Sequence, residues 1–224
     1  MRLRVVDGQD TLNVTVPLVN EGYKMTVNLA DHAKLDGSWE LNNFVTGGVT
    51  VNGGKGSEFI VNATDIIRGV AMKIDADVGG HGTFILAHGQ YRYGMQPPGT
   101  LEFGGKVANG VHVDIAGNDP NSMPATAIGL TIDHPNDFKG SITLHGGVAG
   151  REVDLKDMAK AASWSFRDDV LTIADAKGHA IDKLHIDDQA SGFNGGLALS
   201  RTATGDVLVS PGTDFHGLLA LPTS

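Results

Sequence analysis

The sequence predicts an all-β protein, an irregular right-handed β-solenoid of the parallel β-helix kind, with a β-sandwich as the alternative. Three observations carry this expectation. Apolar and polar side chains alternate with period two along most of the chain, glycine recurs where the alternating runs begin, and clusters of Gly, Asn, Asp and Pro separate the runs. The 224 residues suffice to bury a core without help from a partner. They read as one elongated β domain over 1–224, divisible into small-residue repeats (1–124) and a C-terminal β segment (125–224).

In GVTVNGG, Val49 and Val51 alternate with Thr50 and Asn52, the pattern of a half-buried strand. TFILAH follows, and then TLEFGGKVANGVHVDIAGN, in which Val111, Val113 and Ile115 point one way while His112 and Asp114 point the other. GLTIDH, GSITLHGG, VLTIAD, KLHIDD and DVLVSP continue the alternation, and Trp164 and Phe166 share one face of SWSFRD and read as core. Between the runs, NGGKG, VGGHG, GNDPNS and HPND supply positive φ or preset turn geometry. One segment has helical spacing: Leu155, Met158, Ala159 and Ala162 in VDLKDMAKAAS predict a short helix or turn within 152–162.

Glycine-led strand starts near Gly48, Gly56, Gly82, Gly99, Gly110, Gly129, Gly140, Gly196 and Gly205 recur on the length scale of a solenoid rung. Short strands at similar spacing would also build a sandwich, but the small-residue first half favours the solenoid. From about Ala125, larger apolar residues and more charge predict a change of packing or a cap.

The balance of 17 basic against 26 acidic residues leaves a net charge of −9, which repels phosphate backbones and argues against nucleic acid and anionic membrane partners. With no cysteine there is no disulfide framework, thiolate metal site or cysteine nucleophile. The start, MRLRVVDGQD, has no apolar signal core, and no run approaches the length of a membrane span, so membrane insertion is not predicted.

Catalytic motifs are absent: the chain has no G-x-S-x-G, G-x-G-x-x-G, Walker loop or H-E-x-x-H, so no catalytic residue is assigned and the enzyme reading is disfavoured. A polysaccharide lyase or hydrolase would need acidic and basic residues converging on a cleft, and no such cluster shows in the linear sequence. Nine histidines invite a metal, yet none has ligand spacing, although stacked rungs could align His112, His134 or His145. Asp75, Asp77, Asp114 and Asp119 lie near turns as calcium ligands do, without matching a calcium loop. Solvated turn positions are the preferred reading of Asp75, Asp77, Asp168, Asp169, Asp187 and Asp188. No cofactor is predicted, and calcium stays open.

Aromatic residues give the one ligand signal. In GQYRYGMQPPG, Tyr91 and Tyr93 share a face around Arg92 on a loop stiffened by Pro97 and Pro98, which is what stacking on a pyranose ring requires. It is also what a packed loop anchor looks like. Trp39 in GSWELNNF is the reserve platform.

The run from Leu130 to Asp187, through Asp137, Phe138, Gly140, Ile142, Val153, Asp154, Leu155, Trp164, Phe166, Leu171 and Ile173, resembles the repeated C-terminal segments of large secreted, surface or adhesin-like proteins of alphaproteobacteria. It departs from their pattern at Gly150 and Arg151, where a glycine-aspartate pair is usual. The resemblance implies a β-rich accessory module, secreted or on the bacterial cell surface. The expected function is therefore non-catalytic binding of a polysaccharide or cell-surface glycan through Tyr91, Arg92, Tyr93 and Trp39. The alternative is a structural or adhesive module that self-associates through solenoid ends or edges.

Overall fold

The structure is a computed structural model that describes residues 2–4, 24–36, 40–87, 99–115, 128–145, 151–187 and 196–219. Among these residues there are nineteen strands, one 3₁₀ turn at Pro135–Asp137 and no α-helix. The strands form a β-solenoid with three faces.

On the first face, β1 (Arg2–Arg4), β2 (Lys24–Asn28), the second half of β4 (Glu40–Asn52), the second half of β6 (Thr64–Ile74), β9 (Thr100–Phe103), β11 (Ile128–Ile132) and β13 (Arg151–Leu155) pair in that order. The second face stacks β3 (Lys34–Asp36), β5 (Glu58–Val61) and β7 (Asp77–Gly80), and single bridges carry it on from Val78 to Val107 and from Val107 to Phe138. The third face stacks the first halves of β4 and β6, then β8 (Thr83–Ala87), β10 (His112–Ile115), β12 (Ser141–Leu144) and β16 (Ala180–Asp187). Every one of these pairings is parallel, which rules out the sandwich alternative, whose sheets are antiparallel. β6 serves two faces because Gly69, at φ 65, turns the chain between Arg68, paired with Ala87, and Val70, paired with Gly47.

Alternation puts one row of each strand inside. Val51, Met72, Leu101 and Leu130 line the first face, Leu35, Phe59 and Val78 the second, and Ile67, Leu86, Val113 and Ile142 the third, all buried. Each such side chain contributes about 1.5–3 kcal/mol. Successive rungs add one phenylalanine each to an axial column: Phe59 to Phe84 at 6.2 Å between ring centroids, Phe84 to Phe103 at 5.7 Å, and Phe103 to Phe138 at 6.0 Å.

Side chains tie the corners of adjacent rungs. Asn52 Nδ2 donates to Asn28 Oδ1 at 2.7 Å, and the carboxylates of Asp31 and Asp77 accept the N–H groups of Lys55 at 2.8 Å and Lys106 at 3.0 Å. At Gly140 a side chain would place its Cβ 2.5 Å from the Val111 carbonyl oxygen, so the corner before β12 admits only glycine.

The change of packing expected from about Ala125 sets in after Leu155. Of the short helix or turn expected within 152–162 the structure forms turns, with Asp157 at φ 57, while Val153 and Leu155 before them alternate as core residues of β13, registered on Leu130 and Ile132. β14 (Ser163–Arg167), β15 (Val170–Ala174) and β16 form an antiparallel meander. Asp168 and Asp169, at φ 49 and 60, make its first turn, the two-residue positive-φ geometry that hairpins favour. β17 (Gly196–Arg201) and β18 (Val207–Gly212) form a hairpin on β13, and β19 (His216–Leu218) pairs with β14. Trp164 and Phe166 are buried at 5% and 3% exposure, as their alternation predicts.

Candidate functional site

The outward row of the third face carries a connected group of polar side chains. Because Val113 and Ile142 point inward, His112, Asp114, Ser141 and Thr143 point outward, and the ladder registers His112 on Ser141 and Asp114 on Thr143. Ser141 Oγ lies 2.8 Å from His112 Nδ1, and Thr143 Oγ1 lies 3.1 Å from His112 Nε2. One step along, His145 Nε2 meets Asp114 Oδ1 at 2.7 Å. Stacking therefore gives His112 and His145 separate polar partners, while His134 stands exposed before the 3₁₀ turn.

A cleft of about 430 Å³ opens on the other side of Ser141, lined by Asn109, Lys139, Gly140, Ser141, Asp169, His185 and Asp187. Its origin is the junction of solenoid and cap. β16 registers on β12 only from Ser141 and His185 onward, whereas its earlier residues pair with β15, so the two strands diverge just ahead of Ser141. Solenoid corners supply Asn109, Lys139 and Ser141, and the cap supplies Asp169, His185 and Asp187. Lys139 Nζ donates to the Asn136 carbonyl at 2.5 Å. On β16, Asp182 is only 5% exposed. Burial pushes its carboxyl up, against the pull of the Lys183 N–H, which donates to Oδ1 at 2.8 Å, and of Lys139.

A second polar group stands on the first face. Lys73 Nζ lies 2.6 Å from Glu102, 3.3 Å from Asp75 and 4.0 Å from Asp133. The hydrogen bond to Glu102 raises the Lys73 pKa, and burial, then the charge of Glu102, raises that of Asp133 against the pull of Lys73. The group borders a groove of about 250 Å³, walled in part by Thr26, Thr50, Thr100, Thr131, Gly48 and Ala71. This convergence of one lysine and three carboxylates is what the linear sequence does not show. Register brings it about, since Lys73 faces Glu102 and Glu102 faces Thr131 across adjacent rungs.

The expected platform residues Tyr91, Arg92, Tyr93 and Trp39 lie outside the described residues, as do His88, Asp119 and Asp188. Of the aspartates read as solvated, Asp75 joins the Lys73 group, Asp77 ties a corner, Asp168 and Asp169 shape a turn, and Asp169 and Asp187 line the cleft. Among the described residues, no group of three or more His, Asp or Glu side chains is disposed to hold a metal ion, and no helix is long and apolar enough to cross a membrane. Comparison with protein-family models, with curated proteins and with solved structures finds no match to this chain.

Proposed function

We propose that the protein is a carbohydrate-binding β-solenoid module, secreted or displayed on a bacterial surface, and that its saccharide occupies the cleft at the junction of solenoid and cap. The observation that carries this reading is the lining of that cleft, where donors on Lys139 and Asn109 alternate with acceptors on Asp169 and Asp187, and Ser141 and His185 do both. Sugar hydroxyls donate and accept together, and orientation in such sites comes from a few converging polar groups. The charge of −9 disfavours polyphosphate ligands, and Tyr91, Tyr93 and Trp39, which lie outside the described residues, are the candidate rings for stacking on a sugar, with no place assigned to them at the cleft. Affinity electrophoresis against a panel of neutral and acidic polysaccharides tests it. At least one should retard the protein, and Lys139→Ala with Asp169→Ala should weaken retention tenfold or more, on the order of two lost polar contacts. Retention that survives this change removes the cleft assignment.

A structural, self-associating surface module is the second reading. It is favoured by Phe215, 50% exposed just before the edge strand β19, and Leu218, 86% exposed on it. Absence of binding across the panel, with concentration-dependent assembly in sedimentation velocity, would decide for it.

A further inference from the structure

Ser141 and His112 form an arrangement that ligand binding alone does not need. We propose that Ser141 is a nucleophile for ester hydrolysis, activated by His112, and that its substrate is a small acyl ester of a hydroxyl-rich ligand held in the cleft. The acyl-transfer chemistry stands on the side-chain geometry, and only the identity of the alcohol rests on the carbohydrate reading.

A serine hydroxyl is a weak nucleophile unless a base contacts it and a third group orients that base. Both contacts are present: Oγ of Ser141 sits 2.8 Å from Nδ1 of His112, and Oγ1 of Thr143 sits 3.1 Å from Nε2. With the ring proton on Nε2 and donated to Thr143, Nδ1 presents the lone pair that accepts the serine proton. Thr143 is then a positioning residue. Ser141 is half-buried between two rungs, with His112 on one side and the cleft, with its register partner His185, on the other. A carbonyl carbon in the cleft therefore approaches Oγ from the side opposite the base. Lys139 lines the same cleft and brings positive charge to it, which favours a carbonyl oxygen that becomes negative there. No G-x-S-x-G signature accompanies this serine, because it stands on a strand behind a solenoid corner rather than on a strand-to-helix elbow.

The chemistry balances. Ser141 Oγ attacks the ester carbonyl as its proton passes to His112 Nδ1, the bond from acyl carbon to alkoxy oxygen breaks, and the leaving alcohol takes that proton. Water then gives a proton to His112 and attacks the acyl-serine. The carboxylic acid leaves, and the proton on His112 returns to Ser141 Oγ. The net reaction is ester plus water to acid plus alcohol.

The test treats the whole chain with a fluorophosphonate probe, locates the adduct by peptide mass spectrometry, and measures hydrolysis of p-nitrophenyl acetate. The expected result is an adduct on Ser141 and a loss of about 100-fold or more in Ser141→Ala and His112→Gln, the range for removing a nucleophile or its base. Thr143→Val should lower the rate while leaving the labelled residue the same. An unlabelled Ser141 in folded protein, or undiminished labelling in folded His112→Gln, overturns the proposal. Should a variant fail to fold, the adduct position in the unaltered chain still decides. Labelling of Ser141 without any polysaccharide retention keeps the ester chemistry and removes the sugar as its alcohol. Retention without labelling does the reverse.

Discussion

Replacing Phe84 with alanine probes what holds the rungs together. The ring is fully buried on β8 and stands between Phe59, 6.2 Å away and nearly parallel, and Phe103, 5.7 Å away and edge-on. Those neighbours belong to β5 and β9, each locked into its own ladder, so they cannot close over the space that truncation leaves. Phenylalanine-to-alanine changes in cores cost about 3–5 kcal/mol, and cost more where the site cannot collapse. Loss of two ring contacts, about 0.5–1.5 kcal/mol each, places Phe84→Ala toward the upper end of that range.

For a chain of this size, each kcal/mol moves the midpoint by roughly 2–4 °C, which puts the expected drop at about 6–20 °C in thermal melts followed by far-UV circular dichroism. Phe84→Leu keeps most of the apolar volume and should cost less than half as much. The double change Phe84→Ala with Phe103→Ala should fall short of additivity by about 0.5–1.5 kcal/mol, the coupling of the ring pair. A drop below about 3 °C for Phe84→Ala, or strict additivity in the cycle, would refute an axial aromatic column as a source of stability.

Three further changes test other parts of the fold. Trp164→Ala should cost about 3–5 kcal/mol, because the indole is buried in the cap, and a melt within a degree or two of the parent would show that this face is exposed. Gly140→Ala should destabilise by about 1–3 kcal/mol, because the new methyl meets the Val111 carbonyl, and an unchanged denaturant midpoint would contradict the corner geometry. Asp182→Asn should raise the melting temperature at pH 7. Burial lifts the folded pKa of Asp182 above its unfolded value, so its favourable contribution is full at low pH and lost as pH rises through the folded value. The gain from Asp182→Asn should accordingly vanish below about pH 4, and a gain independent of pH would show that the carboxyl is not desolvated.

The architecture was legible because one local rule generates it. Val111, Val113 and Ile115 against His112 and Asp114 state the inside and outside of a strand without reference to any partner. Parallel stacking, by contrast, is settled by whether the next strand returns in the same direction, and alternation is silent on that. Near 152–162 the helical spacing of Leu155, Met158 and Ala162 resolves into turns, while Leu155 itself joins the ladder built by Leu130 and Ile132, where tertiary contact overrides local preference. The site was less legible still. On the third face the partner of Thr64 is Thr83, that of Thr83 is His112, and that of Ser141 is His185, so rung length changes along one face. The same 29-residue offset puts His112 beside Ser141 and Lys73 beside Glu102, but it holds only over these middle rungs, since the step is 19 from Thr64 to Thr83 and 44 from Ser141 to His185.

The two outward polar groups differ in a way that separates scaffold from site. The Lys73 group sits mid-ladder on the first face, where β6, β9 and β11 run in unbroken register, and its one cation is shared among carboxylates of neighbouring rungs. Such half-exposed pairs, at 37–39% for Lys73 and Glu102, contribute about 0–1 kcal/mol and chiefly relieve the repulsion that stacking like charges would cause. The Ser141 group stands where stacking stops. A continuous ladder closes each strand's open edge with the next rung, but at β12 the next strand belongs to the cap and joins late, which leaves a concave surface with solenoid residues on one wall and cap residues on the other. Concavity is what confines a ligand, and the junction cleft of about 430 Å³ exceeds the groove of about 250 Å³ on the first face. The cap that ends the solenoid thus also makes a polar cleft, and His112 is bound to Ser141 on the last rung before that break.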